Sequence, residues 1–586
     1  MQLSSTVIRS AGWRQAVVAV SLATYFVLAL DFCYAGSPGR DSKKTANETY
    51  LFPTDASHQI NSGFADYRET HFHGGIDIST NGRIGYPVYA AKSGYVYRVS
   101  VSPYGYGKMI LLRHDDSTFT LYGHLSEFSK KIQKLVETAR KKEKKYGVRL
   151  RFQSGEIPVR RGEIIARTGA TGIGGPHLHF EIHGKNYSYI DPLIYKSVDV
   201  TGYRTPRIFN VAVREFNSGL TEVSSVSGRD GECRSNEEFH LNEPFYFIVH
   251  AADSYGRENF KRPPKYITLK IDGRDFISLN LTRIATDDYL DINSLVDFEL
   301  SRGSKTYYIL CVNRAIPFSV FTPGAPLSGL VGRNFTNGIH TYEITVKDED
   351  GNEATATGKF VLGLPGSSTR TNGSMAADPA VPLPFSERTI SPSPALSVQF
   401  PANCFTRNID VSVHQQSPDS FQIEPAGEPL RKKLKVTWKV NDAGLLLFRK
   451  LRYGWSHIPY SNDGKVLTAE VGFRTGEFAL LRDNVPPIVD RIRVSRKNPF
   501  YRSVAPNEFN RVFVYFKVSD KLSGINTDDI LLKVGSKEYL CEYDVDKHAA
   551  MCRVDAGLLR RQRRITVVVA DNAGNERTVV SKVKFR

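Results

Sequence analysis

Residues 71–80 read HFHGGIDIST, and residues 175–184 read GPHLHFEIHG. Imidazoles and carboxylates are donors that suit a zinc ion. Gly74 and Gly75 make a helix costly, so these histidines are not arranged in the helical H-E-x-x-H manner. Along an extended chain, side chains alternate between faces. Ile76 and Ile78 then point to a core while Asp77 points away, and a turn at the glycines can carry His73 back beside Asp77. In the second stretch His177 and His179 share one strand face, while Leu178 and Phe180 share the other. LYGHL adds His124. Repeated imidazole clusters on open strand faces, backed by apolar partners, point to a metal site.

The elements that must position these groups are short strands. Residues 50–200 alternate apolar runs with glycine-rich turns, as in GYPVYAAKSGYVYRVSV and KMILLRHDDSTFTLYGHL, a pattern of strands and hairpins. One segment breaks it. In SEFSKKIQKLVETARKKEKKYGVRL, 126–150, Phe128, Ile132, Leu135 and Val136 fall at helical spacing, which predicts an amphipathic helix inserted between two strands. Lysines and arginines cover its other faces, either as a plain solvated surface or as a basic rim that draws an anionic polymer to a cleft. Of the remaining polar residues, His71 is a candidate for lining the cleft and His114 for a strand end. His183 would stand behind the second motif. Tyr122, two residues before His124, is a candidate for touching substrate, and Arg68 for holding a substrate carboxylate or forming a surface salt bridge.

The chain has 586 residues, enough for about three to five domains. Arg9 and Arg14 followed by the apolar run Ala16–Leu30 and by CYAG read as a signal peptide over 1–35, cleaved near Ala35. The run is shorter than the ~20 residues of a membrane span, and no later segment is apolar enough to make one. The mature protein is therefore expected to be exported, to a periplasm or cell envelope or beyond it. Of the six cysteines, Cys33 lies in the signal and the others form no C-x-x-C pair, which argues against a cysteine zinc site. Cys541 and Cys552 flank a hairpin turn where a disulfide would suit an oxidising compartment. The net charge of +17 fits envelope polymers bearing carboxylates or phosphates, and no base-reading motif supports nucleic acid.

Beyond residue 200 a pattern recurs. YEITVKDEDGNEATATGKFVL (342–362) and ITVVVADNAGNERTVVSKVKF (565–585) both carry D-x-x-G-N-E between two strands, a hairpin signal. The earlier strands FYFIVHAADSYGREN (245–259) and VYFKVSDKLSGIN (514–526) complete each series. These segments predict β-sandwiches resembling bacterial immunoglobulin-like modules over 205–365 and 485–586. A linker is expected over 366–389 and another β-rich domain over 390–484.

Taken together, HGGID (73–77), YGHL (122–125) and HLHFE (177–181) resemble the H-x-G-x-D, Y-x-H-L and H-x-H motifs of the lysostaphin/LytM-like zinc metallopeptidases, over roughly 60–195. The basic insertion after YGHL departs from that pattern. The resemblance implies a mainly β fold: an antiparallel zinc peptidase domain over 50–200 with an inserted helix, followed by several β-sandwich domains. It implies Zn2+ held by His73, Asp77 and His179, with His124 and His177 acting on the reacting water or the transition state. It further implies an endopeptidase acting on peptidoglycan peptides, with envelope proteins as further partners through the C-terminal β-domains. A zinc endopeptidase acting on Gly-rich protein segments is one alternative. A non-catalytic scaffold that activates other wall hydrolases is the other, and the filled motif positions speak against it.

Overall fold

The computed structural model describes residues 50–583, except 69–70, 196, 199, 201–203, 230, 255–260, 302–306, 314–316, 333, 365–384, 406–408, 443, 453 and 506–510. The signal-peptide segment 1–35 and most of the linker 366–389 lie outside the described residues. Strands dominate, and apolar side chains gather into four main cores.

The first core fills residues 50–200. Its principal strands are β1 (Ile60–Ser62), β2 (Ile76–Ser79), β3 (Gly94–Val101), β4 (Lys108–His114), β5 (Phe119–Gly123), β6 (Val148–Arg151) and β7 (His177–His183). They pair in the spatial order β1-β2-β7-β5-β4-β3-β6, each neighbour antiparallel. The histidine strand β7 is therefore central. Leu178, Phe180 and Ile182 are fully buried in the core, which leaves the odd-numbered side chains on the opposite face.

The predicted helix is present but shorter than 126–150. It runs Lys130–Glu143 as α1. Phe128 lies before it in the two-residue strand Glu127–Phe128, and Val148 after it in β6. Ile132 and Val136 are its buried residues, with Ala139 packed partly against the core. This i, i+4, i+7 stripe leaves Leu135 at its edge, 37% exposed.

The second core spans residues 64–364. Its strands form one 13-stranded sheet, with a parallel step between Glu232–Ser235 and Glu353–Leu362. Phe64, Phe72 and Tyr189 belong to this core, so the segment leading to His73 is anchored in the following unit. Lys265 and Asp191 seal the join as a fully buried ion pair at 2.5 Å, and Lys265 also donates to the Phe64 carbonyl at 3.3 Å.

The third core lies between two five-stranded sheets over 388–482, and the fourth between two four-stranded sheets over 488–582. Both are sandwiches in which apolar side chains from facing sheets meet. Cys541 and Cys552 are joined by a disulfide. Cys233, Cys311 and Cys404 are free thiols.

The fourth unit folds back onto the first. Arg502–Ser503 pairs in parallel with Arg83–Ile84. The Lys108 ammonium, in β4, pairs with Glu542, and Arg553 pairs with Glu127. The Gly147 amide donates to Asp528 at 2.9 Å, and the Gly174 amide donates to Asp546 at 2.8 Å. No helix among the described residues is long and apolar enough to cross a membrane.

Candidate metal and catalytic centre

Strand register brings the two motifs together. His179 on β7 lies opposite Asp77 on β2 and opposite Gly123 on β5, and cross-strand neighbours share a face. The glycines of HGGID permit the approach of the preceding turn. A Cβ at Gly75 would stand 2.1 Å from the Phe180 carbonyl oxygen, and one at Gly74 would stand 2.7 Å from the Tyr189 ring. The turn thus returns His73 beside Asp77, with Nε2 3.1 Å from Asp77 Oδ1.

Three candidate ligand atoms converge. His179 Nδ1 lies 2.8 Å from Asp77 Oδ1 and 3.0 Å from His73 Nε2. Their other ring nitrogens are occupied: His73 Nδ1 donates to the Gly63 carbonyl at 2.7 Å, and His179 Nε2 donates to Glu181 Oε1 at 2.8 Å. Each ring therefore aims its lone-pair nitrogen at the common point. Two lone pairs and a carboxylate this close repel one another unless protons or a cation sit among them. The donor set, two imidazoles and one carboxylate, suits a zinc ion with an open position, so the residues fit a metal.

In the protein without metal a proton takes that role. Burial alone would lower the His179 pKa, but the hydrogen bonds it donates to the Asp77 and Glu181 carboxylates outweigh it and push it up to about 9. Burial likewise opposes ionisation of Asp77, and the neighbouring His73, His177 and His179 hold its carboxyl well below the usual range.

His124 and His177 form a second pair, ring centroids 4.3 Å apart. His124 Nδ1 donates to the Thr171 carbonyl at 2.8 Å, and His177 Nδ1 donates to the Gly175 carbonyl at 2.7 Å. Their Nε2 atoms are left as the basic ends. His177 Nε2 is buried without a hydrogen-bond partner, 3.5 Å from Asp77 Oδ1. Burial lowers both pKa values, so both rings are neutral at pH 7. An open groove of about 460 Å³, lined by Asn61, Ser79, Asn81 and Pro176 among others, reaches His177.

The other sequence candidates divide. His183 stands behind the site: its Nε2 donates to Glu181 Oε2 at 2.7 Å. His114 ends β4, buried, between the Ser93 carbonyl and Thr120 Oγ1. His71 packs against the Tyr289 ring, 5.3 Å between centroids, and burial drives its pKa to about 3. Arg68 faces the site itself, with a guanidinium nitrogen 3.8 Å from Asp77 Oδ2 and 2.7 Å from Ser62 Oγ. Tyr122 is a correction. It is fully buried on the core face of β5, where its hydroxyl accepts from the Ala91 amide at 2.7 Å. The strand ends at Gly123, and His124 takes a left-handed φ of 57°, so alternation does not carry Tyr122 to the same side as His124.

Glu181 has no role in the reading of the motifs. It is fully buried, accepts from His179 and His183, and accepts from the Tyr106 hydroxyl at 2.6 Å. The signal was present: H-x-H-x-E-x-H places four ionisable residues on one strand face.

Residues 71–141 match the model of peptidase family M23, a span that includes His73, Asp77 and His124. The chain carries a domain of peptidase family M23. A Haemophilus influenzae protein described as an uncharacterized metalloprotease is 34% identical over 147 residues, covering 24% of this chain and 26% of that protein. The peptidoglycan DD-endopeptidase ShyB of Vibrio cholerae is 33% identical over 143 residues, 23% of this chain and 28% of that one. The chain thus spans about a quarter of the length of these curated relatives. Among solved structures, a zinc-containing peptidase from Vibrio cholerae is 33% identical over 23% of this chain and 36% of its own, with a TM-score of 0.17.

Proposed function

We propose that this protein is an exported zinc endopeptidase that hydrolyses peptide cross-links of bacterial peptidoglycan. The observation that carries the reading is the convergence of His73 Nε2, Asp77 Oδ1 and His179 Nδ1, each ring fixed by a partner on its far nitrogen. In this reading residues 50–200 form the catalytic domain, and 205–365, 390–484 and 485–586 are β-units that hold it. The relatives described as a metalloprotease and as a peptidoglycan endopeptidase support the substrate class. The disulfide Cys541–Cys552 supports an oxidising compartment.

Held by His73, Asp77 and His179, zinc would supply Lewis-acid polarisation and a lowered pKa for water. His177 and His124 supply the proton chemistry. Each presents a neutral Nε2 that can take a proton from the attacking water and return it to the leaving amine. Once protonated, either can also donate a hydrogen bond to a developing oxyanion. Arg68 neutralises part of the Asp77 charge and holds that carboxylate in place.

Purified sacculi incubated with the mature protein should release cross-link fragments, identified by mass spectrometry, and a chelator should abolish the release. Sacculi left intact by zinc-loaded protein would overturn the reading in favour of a scaffold. A Gly-rich polypeptide cut in preference to sacculi would redirect the substrate class.

The basic segment should add attraction to wall material. Lys141, Lys142 and Lys144 are exposed, and Lys145 is half-buried. Changing all four to Gln should weaken sacculus binding at low salt and have little effect at high salt, because exposed charges are screened within ~10 Å at 0.1 M. Equal binding at low salt would leave the segment as a solvated surface only.

A further inference from the structure

The two proton-transfer histidines share one support. His124 Nδ1 donates to the Thr171 carbonyl, and His177 Nδ1 donates to the Gly175 carbonyl. Both carbonyls belong to the segment GATGIGG, 169–175. Glycine loses more conformational freedom on ordering than any other residue, and this segment holds Gly169, Gly172, Gly174 and Gly175. It needs fasteners from outside, and the fourth unit supplies them at two points.

One runs through Lys108. Its amide donates to Thr171 Oγ1 at 2.9 Å, its carbonyl accepts from the Leu125 amide at 3.0 Å, and its ammonium donates to the Ser126 carbonyl at 3.0 Å. Lys108 therefore ties the residues that follow His124 to the residue whose carbonyl orients that ring. It is buried, 9% exposed, and a buried ammonium needs a counter-charge. Glu542 of the fourth unit provides it.

The other runs through Gly174, whose amide donates to Asp546 at 2.8 Å. Gly174 lies against the His177 ring, since a Cβ there would stand 3.3 Å from Cε1. Glu542 and Asp546 sit in a single hairpin of the fourth unit. Its strands are Glu542–Asp544 and Ala549–Asp555, and the Cys541–Cys552 disulfide closes its base. A cross-linked hairpin presents its two carboxylates at a fixed spacing. None of these contacts involves His73, Asp77 or His179.

We infer that Glu542 and Asp546 are positioning residues for His124 and His177, so that the hairpin of the fourth unit holds the proton-transfer pair while other elements hold the metal ligands. The inference rests on the peptidase reading above, which gives these two histidines the proton chemistry. Loss of either carboxylate releases segment 169–175, and a displacement of ~1 Å can cost ~10²-fold in rate.

The test uses the full mature chain loaded with zinc and a soluble cross-linked muropeptide as substrate. Glu542→Gln and Asp546→Ala should each keep about one zinc per chain and lower kcat roughly 10–100-fold, with KM little changed. Asp546→Asn retains an oxygen that can accept from the Gly174 amide, so it should recover most of the rate lost in Asp546→Ala. Val514→Ala opens a cavity in the core of the fourth unit. It should lower the unfolding temperature and leave kcat at the wild-type value, which separates positioning from stability. A readout independent of activity comes from 15N spectra of histidine-labelled protein. His124 in Glu542→Gln and His177 in Asp546→Ala should lose the single Nδ1–H tautomer that the carbonyls impose and show a mixture. The inference is overturned if both variants, with wild-type circular dichroism, keep kcat and tautomers unchanged, or if zinc is lost in step with turnover. If the wild-type protein cuts no cross-link, the peptidase reading fails. The tautomers then decide alone: mixed in the variants, the hairpin positions the rings; unchanged, it does not.

Discussion

His179→Ala loses zinc and peptidase activity together, whereas His177→Ala keeps its zinc and turns over ~10²–10⁴-fold more slowly, the usual worth of a positioned acid/base group. The two residues stand side by side on β7, so residue type and strand face do not separate them. The far-side hydrogen bond does. His179 gives its Nε2 proton to the Glu181 carboxylate and turns Nδ1 toward Asp77 and His73. His177 donates its Nδ1 proton to the Gly175 carbonyl and leaves Nε2 without a hydrogen-bond partner, 3.5 Å from Asp77 Oδ1. His124 is held like His177, through Nδ1 on the Thr171 carbonyl. His124→Ala should therefore also retain zinc and lose turnover. The double variant should cost less than the product of the two single losses, because groups acting on one transition state are not additive. Metal content and turnover measured on the same preparations decide the matter. Zinc retained by His179→Ala and lost by His177→Ala would reverse the roles. Retention of both metal and activity by both variants would move the active site elsewhere.

Much of this centre was legible because strand alternation is a strict rule. HLHF in β7 could bury Leu178 and Phe180 only by presenting His177 and His179 together, and HGGID could turn only at its glycines. The same rule failed at LYGHL, where the left-handed backbone at His124 ends the strand and leaves Tyr122 in the core. The helix was read too long because Phe128 and Leu135 fit the spacing, while burial selects Ile132 and Val136. Contacts between distant segments left no local pattern. Neither the membership of Phe72 and Tyr189 in the second core nor the pairing of Lys108 with Glu542 follows from any periodicity. Tyr106, 75 residues from the Glu181 it supports, is of the same kind.

Glu181→Gln should lower zinc affinity ~10–100-fold, the typical cost of losing a hydrogen-bonding partner behind a metal ligand, although Glu181 is no ligand itself. Its carboxylate accepts from His179, His183 and Tyr106 together. Burial would raise its carboxyl pKa, but the hydrogen bonds from the two histidines outweigh that and hold it well below the usual range. An amide of the same shape keeps the packing and removes the charge. Proton release separates a positioning role from a packing one. With the His179 pKa at about 9, the metal-free site carries a proton at pH 7, which zinc must displace. Calorimetry in two buffers of different ionisation enthalpy should therefore find about one proton released per zinc at pH 7. Affinity should rise with pH until about 9 and then level off. The same raised pKa stabilises the metal-free fold fully below the ordinary histidine value of 6.5, and that share is lost as pH rises through about 9. In Glu181→Gln, His179 loses one of the two carboxylate charges that raise its pKa, so fewer protons should be released at pH 7 and the level region should begin at lower pH. Unchanged affinity together with an unchanged proton count would make Glu181 a packing residue and detach it from the metal centre.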